Sequence, residues 1–450
     1  MLLDDRLARG LDTPMSRPRD RFSRLLAPGS FARNAAVLGS GTALSQLIAL
    51  AAYPFLTRLY TTDQFGVLTV YSSALAILVV VASFRYELAI PLSEEDGEGF
   101  DTLVLSLAIL LGFSSLTAVV VVAMPDQIAT VLGSDGVRPY LWLLPIGVLG
   151  AGLFQALSFW AIRVGSFTSI ARAKVFQGFG LAGTQLIAGV VSGATAWLVV
   201  GDVVGRAAGS GRLGSLVLSS DVRGDGVPGW GRLRSVAHRY RRFPAYSMFA
   251  GLLNSAGLRV PALLIVAQYG LTTGGQFGLT LLVLAVPITL VSRSVSQVYL
   301  SEAARLARTS HGELKRLFQA TAVRLAAIGV VPVAVLVIAG PWLFETVFGA
   351  EWRVSGELAR ALSPMLFGQF VVAPLAHTLT VLERQSTQLL WDAIRLGLVV
   401  ATLGGISAQG GSALLAVSVY GAAMFVAYGL LYVLNSRAID RASRAEAASS

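Results

Sequence analysis

Twelve long apolar stretches divide this chain, and they constrain its fold more than any other feature. Each is close to the length of about 20 residues that a helix needs to cross a bilayer, and none alternates with the period of two typical of barrel strands. The chain is 54% hydrophobic and 13% charged, with a mean hydropathy of +0.68. We therefore predict an all-α polytopic membrane protein with spans at 34–57, 65–84, 101–124, 139–162, 167–191, 194–219, 245–269, 275–300, 318–344, 358–381, 385–408 and 413–434.

The sixth stretch is the least regular of the twelve. Asp202, Arg206, Arg212 and several glycines interrupt its apolar residues. Charged side chains persist at membrane depth only where they face a partner, water or a ligand. We expect this span either to be broken or to lie against a water-filled interior.

The positions of lysine and arginine predict the orientation, because cytoplasmic loops retain these residues. With the N-terminus inside, only Arg58, Arg138, Arg353 and Arg360 of the 35 basic residues fall in outside loops. Both termini are thus expected in the cytoplasm, in a multi-pass protein of the cytoplasmic membrane. Anionic membrane lipids account for the net charge of +10, so no nucleic-acid partner is expected.

Two pairs of short segments indicate an internal duplication. Residues 59–66 resemble residues 269–278, and residues 131–135 resemble residues 347–351 at a similar offset. Six spans return the chain to its starting side, so we expect parallel repeats about an axis along the membrane normal, with the substrate site between them. The predicted organisation is a basic cytoplasmic arm (1–30), an N-lobe (31–219), a cytoplasmic linker (220–242), a C-lobe (243–435) and a cytoplasmic tail (436–450).

Arg259 is the charged residue placed deepest in the predicted spans. An arginine at mid-membrane costs about 2.5 kcal/mol or more unless it meets water, a partner or a ligand. Asn254 and Ser255 precede it by about one helical turn. We predict that these three residues face a central cavity. The alternative is an arginine hydrogen-bonded to carbonyls that Pro261 leaves without a donor.

Three other arginines lie near the cytoplasmic ends of their spans, namely Arg293, Arg324 and Arg395. Each can reach the interface by extending its side chain. Around one cavity they would instead suit a polyanion such as pyrophosphate, which arginine binds bidentately. Asp392 can pair with Arg395, and Asp202 with Arg206, at helical spacing.

Polar residues also mark the first span. Thr42, Gln46 and Tyr53 share one helical face, so they are predicted to line the cavity, although polar contacts between helices are an equal alternative. Asp202 is the one carboxylate expected near the middle of a span, which disfavours an ion-driven drug exporter. Its role in coupling is a hypothesis.

Acidic residues cluster after the second span, and they are expected on a solvated loop. The cluster comprises Glu94, Glu95, Asp96, Glu98 and Asp101. The chain has no cysteine and only three widely separated histidines, so neither a metal site nor a cofactor is expected. The short outside loops leave little for an active site, and we expect a protein that is not an enzyme.

The sequence resembles the Wzx-type polysaccharide flippases of the multidrug/oligosaccharidyl-lipid/polysaccharide (MOP) exporter superfamily. The resemblance rests on Arg85-Tyr86-Glu87-Leu88-Ala89-Ile90-Pro91, Phe348-Gly349-Ala350-Glu351-Trp352 and Val381-Leu382-Glu383-Arg384-Gln385. It implies a MATE-like fold, alternating access, and O-antigen or exopolysaccharide precursors on an undecaprenyl-pyrophosphate-type carrier. It also implies gating or coupling by Arg85 and Glu87, membrane lipids and the pathway's polymerase and glycosyltransferases as partners, and a monomer.

The sequence departs from this family at residues 240–244. This segment reads Tyr-Arg-Arg-Phe-Pro, and Arg242 occupies the position where the family usually has an acidic residue. If this acidic residue takes part in gating in relatives, gating must use other residues in this chain.

The alternatives to a polysaccharide flippase are a lipid II-type flippase, a cation-coupled drug exporter of the same fold, a polysaccharide polymerase or ligase, and a passive scaffold. A polymerase or ligase would need a longer outside loop, and a scaffold gives no reason for Arg259.

Overall fold

The structure is a computed structural model that describes residues 31–219, 226 and 228–449. The predicted basic arm, part of the linker and the last residue lie outside this range. The described residues form helices and contain no strand. Ten of the helices are long and apolar enough to cross a membrane. One of these, over residues 243–306, reverses at Gly270 and holds two spans, and the sixth span is present as two shorter helices. The all-α fold with about twelve spans is confirmed.

The spans are α1 to α12, with α6 in two parts. Their bounds are α1 Phe31–Leu59, α2 Thr62–Val81, α3 Asp96–Ala123, α4 Leu143–Arg163, α5 Phe167–Ser192, α6a Thr195–Ala207, α6b Ser210–Leu218, α7 248–269, α8 271–306, α9 His311–Phe348, α10 Arg353–Val372, α11 Gln385–Ala408 and α12 Ala413–Ser449. The end of the bundle where α1 begins is called the basic end, and the opposite end is called the far end.

Short helices connect the spans. They are the 3₁₀ helices Tyr86–Leu92, Asp135–Tyr140, Ala350–Trp352 and Ala373–Leu375, the α-helices Pro125–Val131, Trp230–Arg239 and His377–Val381, and the π-helical turn Phe243–Ser247. We call Trp230–Arg239 the connecting helix, because it lies between the lobes in sequence.

The sixth span is broken, which is one of the two alternatives expected for it. Gly209 separates α6a from α6b with φ at +84°, a left-handed conformation that glycine adopts without steric cost. Asp202 lies before this break and is 7% exposed, so the charged part of the span points into the bundle.

Several predicted boundaries moved, such as the start of α9 and the end of α10, and two further shifts affect how a connecting segment and the tail are described. The second span ends at Val81 rather than at residue 84, because Phe84 and Arg85 take left-handed conformations before the 3₁₀ helix Tyr86–Leu92. The last helix runs well beyond residue 434, and Lys315 of α9 contacts Asp440 there at 2.5 Å. Part of the predicted tail is thus a helix held to the C-lobe.

The two lobes meet without intervening side chains at the far end, where α2 packs against α8. A Cβ on Gly66 would clash with the backbone of Leu271, and one on Gly275 would clash with the backbone of Thr62. Absent side chains let two helix backbones approach this closely. We call this glycine-lined contact the far-end seam.

Polar and aromatic contacts extend the far-end seam. Thr272 donates a hydrogen bond to Asp63 at 2.5 Å, and Trp352 Nε1 donates to the Thr57 carbonyl at 3.3 Å. The Trp352 ring meets Phe65 edge-on, with centroids 5.0 Å apart. The apolar core of the C-lobe therefore continues into the far ends of α1 and α2.

The acidic cluster holds the connecting helix against the N-lobe at the basic end. Arg232 contacts both carboxylate oxygens of Asp101 at 2.6 and 2.8 Å, and Arg239 contacts Glu94 and Glu98 at 3.1 Å each. The Glu98 carboxylate raises the pKa of Arg239. Asp101 is 5% exposed. The expectation of a solvated cluster is therefore wrong for Asp101, whose buried carboxylate needs a partner such as Arg232. The other residues of the cluster are more exposed.

We expect Asp101→Asn to loosen the connecting helix, because the substitution removes the charge that Arg232 grips bidentately. Trypsin should then cleave after the arginines of Trp230–Arg239 several times faster than in the unmodified protein. The exposed Glu95, changed to Gln, is the matched control. Equal cleavage rates in the two variants would show that the ion pair does not hold the helix in place.

Candidate functional site

A polar cavity opens among α1, α4, α5 and α6a. Its volume is about 550 Å³. Its polar lining comes from six long side chains besides Ser45, which are Gln46, Gln155, Lys174, Gln177, Asp202 and Arg206. Most of these positions lie nearer the basic end of their helices than the far end. The cavity therefore lies on the basic-end side of the far-end seam.

An ion pair lies in the wall of this cavity. Arg206 Nε contacts Asp202 Oδ2 at 2.7 Å, which confirms the pairing expected from their spacing. The Arg206 carbonyl accepts a hydrogen bond from Gln177 Nε2 at 2.8 Å. Because α6a ends at Ala207, the Arg206 carbonyl oxygen has no N–H donor within the helix, and Gln177 supplies one instead. The break thus fixes the charged side chains in the cavity wall.

Arg259 is an exposed residue of α7 that lies near this ion pair. It is not among the described residues that line the polar cavity. Among the described residues Arg259 has no hydrogen-bond partner, so the alternative of carbonyls freed by Pro261 is not observed.

Arg395 is buried, and the expectation that it extends to the membrane interface is wrong. Its side chain donates to the carbonyl and Oδ1 of Asn254 at 3.1 and 3.0 Å, and the residue is 5% exposed. Asp392 lies 3.2 Å away, which confirms that predicted pair. The guanidinium also stacks over Trp391 at 4.9 Å. These contacts join α11 to α7 one turn before Arg259.

The predicted face of α1 is divided among different environments. Gln46 lines the cavity and accepts a hydrogen bond from Thr289 of α8 at 3.1 Å. Thr42 donates to the carbonyl of Leu38 in its own helix at 3.1 Å, and Tyr53 is 7% exposed within the apolar core. Gln46 therefore belongs both to the cavity and to the polar contacts between helices.

Other predicted site residues lie elsewhere. Ser255 donates to the Ala76 carbonyl at 3.4 Å, linking α7 to α2. Arg324 is exposed on α9, and in the described part of the chain it does not line the cavity. The side chain of Arg293 is outside the described residues.

Glu87 connects the turn after α2 to the cavity wall. It is 1% exposed and accepts hydrogen bonds from Ser83 at 2.5 Å and from Gln155 Nε2 at 2.8 Å. Arg85 lies 3.7 Å from the same carboxylate, and its side chain also packs on Gly251 of α7. The Arg85–Glu87 pair thus lies between the N-lobe cavity and the C-lobe.

Sequence reasoning missed Gln155, Lys174 and Gln177 as cavity residues. Lys174 and Gln177 are one turn apart on α5, and Lys174 Nζ lies 4.8 Å from the centroid of the Phe154 ring. Long polar side chains at that spacing near an otherwise apolar span would have been a usable signal. In the described residues no group of three or more His, Asp or Glu side chains is placed to hold a metal ion.

Comparison with known proteins identifies a family and a fold. The family described as polysaccharide biosynthesis protein matches residues 55–357 of this chain. No curated protein sequence matches closely enough to count as a relative. The matching solved structures share less than a quarter of the sequence, and they therefore bear on the fold alone.

Three of these structures are transporters. An inward-facing multidrug resistance MATE family transporter of the MOP superfamily has a TM-score of 0.67 at 15% identity, with 94% of this chain and 98% of that chain covered. A MOP superfamily transporter from Pyrococcus furiosus scores 0.58 at 12% identity, with 91% and 95% covered. An outward-facing MATE family transporter scores 0.54 at 11% identity, with 92% and 95% covered.

A cysteine pair tests the far-end seam, and the absence of native cysteine gives a clean background. We expect Asp63→Cys with Thr272→Cys to form a disulfide readily under mild oxidation, because these side chains are in contact. The pair Asp63→Cys with Thr309→Cys, at the other end of α8, should stay reduced. Gel mobility with and without reductant measures both. Equal cross-linking of the two pairs would contradict the seam.

Proposed function

We propose, because the chain belongs to the polysaccharide biosynthesis protein family, that it is a flippase for a lipid-linked oligosaccharide on an undecaprenyl-pyrophosphate-type carrier. The chain is a multi-pass membrane protein with the fold of MOP-superfamily transporters. The observation that supports this substrate best is the polar cavity, whose wall carries Lys174 and the Asp202–Arg206 pair, with Arg259 of the other lobe nearby.

The charges of the cavity suit a diphosphate. Arg206 and Lys174 contribute two cations to the lining, and Asp202 contributes one carboxylate. Asp202 neutralises Arg206, whereas Arg259, near this wall, has no hydrogen-bond partner among the described residues. An arginine in this state can bind phosphate oxygens bidentately.

The amides of the cavity suit the sugar portion of the ligand. Gln46, Gln155 and Gln177 offer both donors and acceptors, which is what sugar hydroxyls require. No covalent step is needed for translocation, and we propose a transporter rather than an enzyme. The cationic character also distinguishes this cavity from one built to attract cationic drugs.

Transport would proceed by rocking of the two lobes. We propose that the basic end faces the cytoplasm, since most of the lysine and arginine residues that the structure describes lie there. The headgroup would enter from that side, and opening of the far-end seam would release it outside. We propose that the Arg85–Glu87 pair, which contacts Gln155 and Gly251, gates the basic end. Association with the pathway's polymerase and glycosyltransferases stays a prediction, as does the monomeric state.

We expect Arg259→Ala to reduce export of the glycan at least tenfold in cells that depend on this protein, because the ligand's phosphates lose a bidentate partner. Arg259→Lys keeps the charge but not the fork geometry, and it should retain part of the activity. Arg308→Ala, an exposed change at the basic end, is the control at matched expression. Full activity of both Arg259 variants would remove this residue from the mechanism.

A further inference from the structure

A second cavity lies on the outer flank of the contact between α1 and α5. Its volume is about 440 Å³, and Leu44, Val175 and Phe176 provide much of its apolar lining. Gly41 permits it, because a Cβ there would lie 2.5 Å from the Cα of Ala171. The two helices therefore touch along their backbones, and the side chains on either side of this contact form a groove. We call it the α1–α5 groove.

The α1–α5 groove is separate from the polar cavity described above. Gly178 packs against the backbone of Ser45 on the same helix pair. The polar cavity takes Gln46 from α1 and Gln177 from α5, whereas the groove takes Ser40 and Arg172 from the same two helices. The helix pair forms a wall between the two spaces.

Two arginines border the groove, and neither is neutralised. Arg172 of α5 and Arg212 of α6b are both exposed. Within the described part of the chain, neither has an ion-pair or hydrogen-bond partner. This contrasts with Arg163, Arg232 and Arg239, which contact carboxylates at the same end of the bundle.

Along the groove a charged end is followed by an apolar surface, just as the charged headgroup of a lipid is followed by its hydrocarbon chains. Arg172 lies about one and a half turns from the start of α5 at the basic end. Phe176 and Phe179, 54% and 60% exposed, follow on the same face towards the membrane centre. On α1, Leu44 and Leu47 continue the apolar surface beside them, at 49% and 48% exposed. A headgroup at the arginines would leave a hydrocarbon chain along these side chains.

We propose that the α1–α5 groove is a binding site for an anionic phospholipid of the leaflet at the basic end. The phosphate would contact Arg172 and Arg212, and one acyl chain would lie along Leu44, Phe176 and Phe179. Basic pockets between transmembrane helices on the cytoplasmic side favour such headgroups. The inference depends on the membrane location and not on the transported substrate.

Native mass spectrometry of the delipidated full-length protein tests the site, with phosphatidylglycerol and phosphatidylcholine as probes. We expect phosphatidylglycerol to bind the unmodified protein more tightly than phosphatidylcholine does. The variant Arg172→Gln with Arg212→Gln should lose at least fivefold in affinity for phosphatidylglycerol alone. Arg308→Gln with Arg316→Gln is the matched control, because it removes two exposed arginines at the same end of the bundle.

Three results would overturn the proposal. They are equal phosphatidylglycerol affinity in the two double variants, equal binding of the two lipids by the unmodified protein, and tighter binding of a polyisoprenyl pyrophosphate than of phosphatidylglycerol at this groove. The last result would assign the groove to the carrier lipid instead. The Arg259 variants leave the groove intact, so failure of the flippase proposal would be seen separately.

Discussion

The close approach of α2 and α8 is the contact on which the rest of the architecture depends. Gly66 and Gly275 let the two backbones touch, and the Asp63–Thr272 hydrogen bond and the Phe65–Trp352 contact extend the contact across both lobes. Lipid gives helices no hydrophobic drive to associate, so close backbone packing of this kind is what can hold them together. The lobes are joined at the far end, and the polar cavity among the described residues lies nearer the basic end.

The packing of the helices determines which charged groups within the membrane have partners. Arg395 is held by Asn254, Asp392 and Trp391, and Arg206 is held by Asp202. Each of these arginines thus has the partner that a charge at membrane depth usually requires. Arg259 has no such partner among the described residues, although it lies close enough to Asp202 and Arg206 to feel their charge. The pairing that accounts for Arg206 and Arg395 therefore does not account for Arg259.

The fold and part of the site were predictable from the sequence, for different reasons. Span number follows from hydropathy, because the bilayer requires a fixed apolar length, and the Asp202–Arg206 and Asp392–Arg395 pairs follow from helical spacing. Burial of Arg395 was not predictable, because it depends on which face of α11 meets α7. The same holds for Gln155 and Lys174, whose place in the cavity depends on helix rotation. The burial of Asp101 was not predictable either, because its partner, Arg232, lies far away in sequence.

The turn after α2 ties these elements together at the basic end. Phe84 and Arg85 have φ values of +50° and +64°, which are costly for residues with side chains unless the surroundings hold them in place. Glu87 accepts bonds from Ser83 and Gln155, and Tyr86 donates to the Ala237 carbonyl of the connecting helix at 3.1 Å. The turn thus contacts the cavity wall, α7 and the connecting helix at once. A movement of one lobe against the other would change these contacts, and the proposed gate is placed in this turn for that reason.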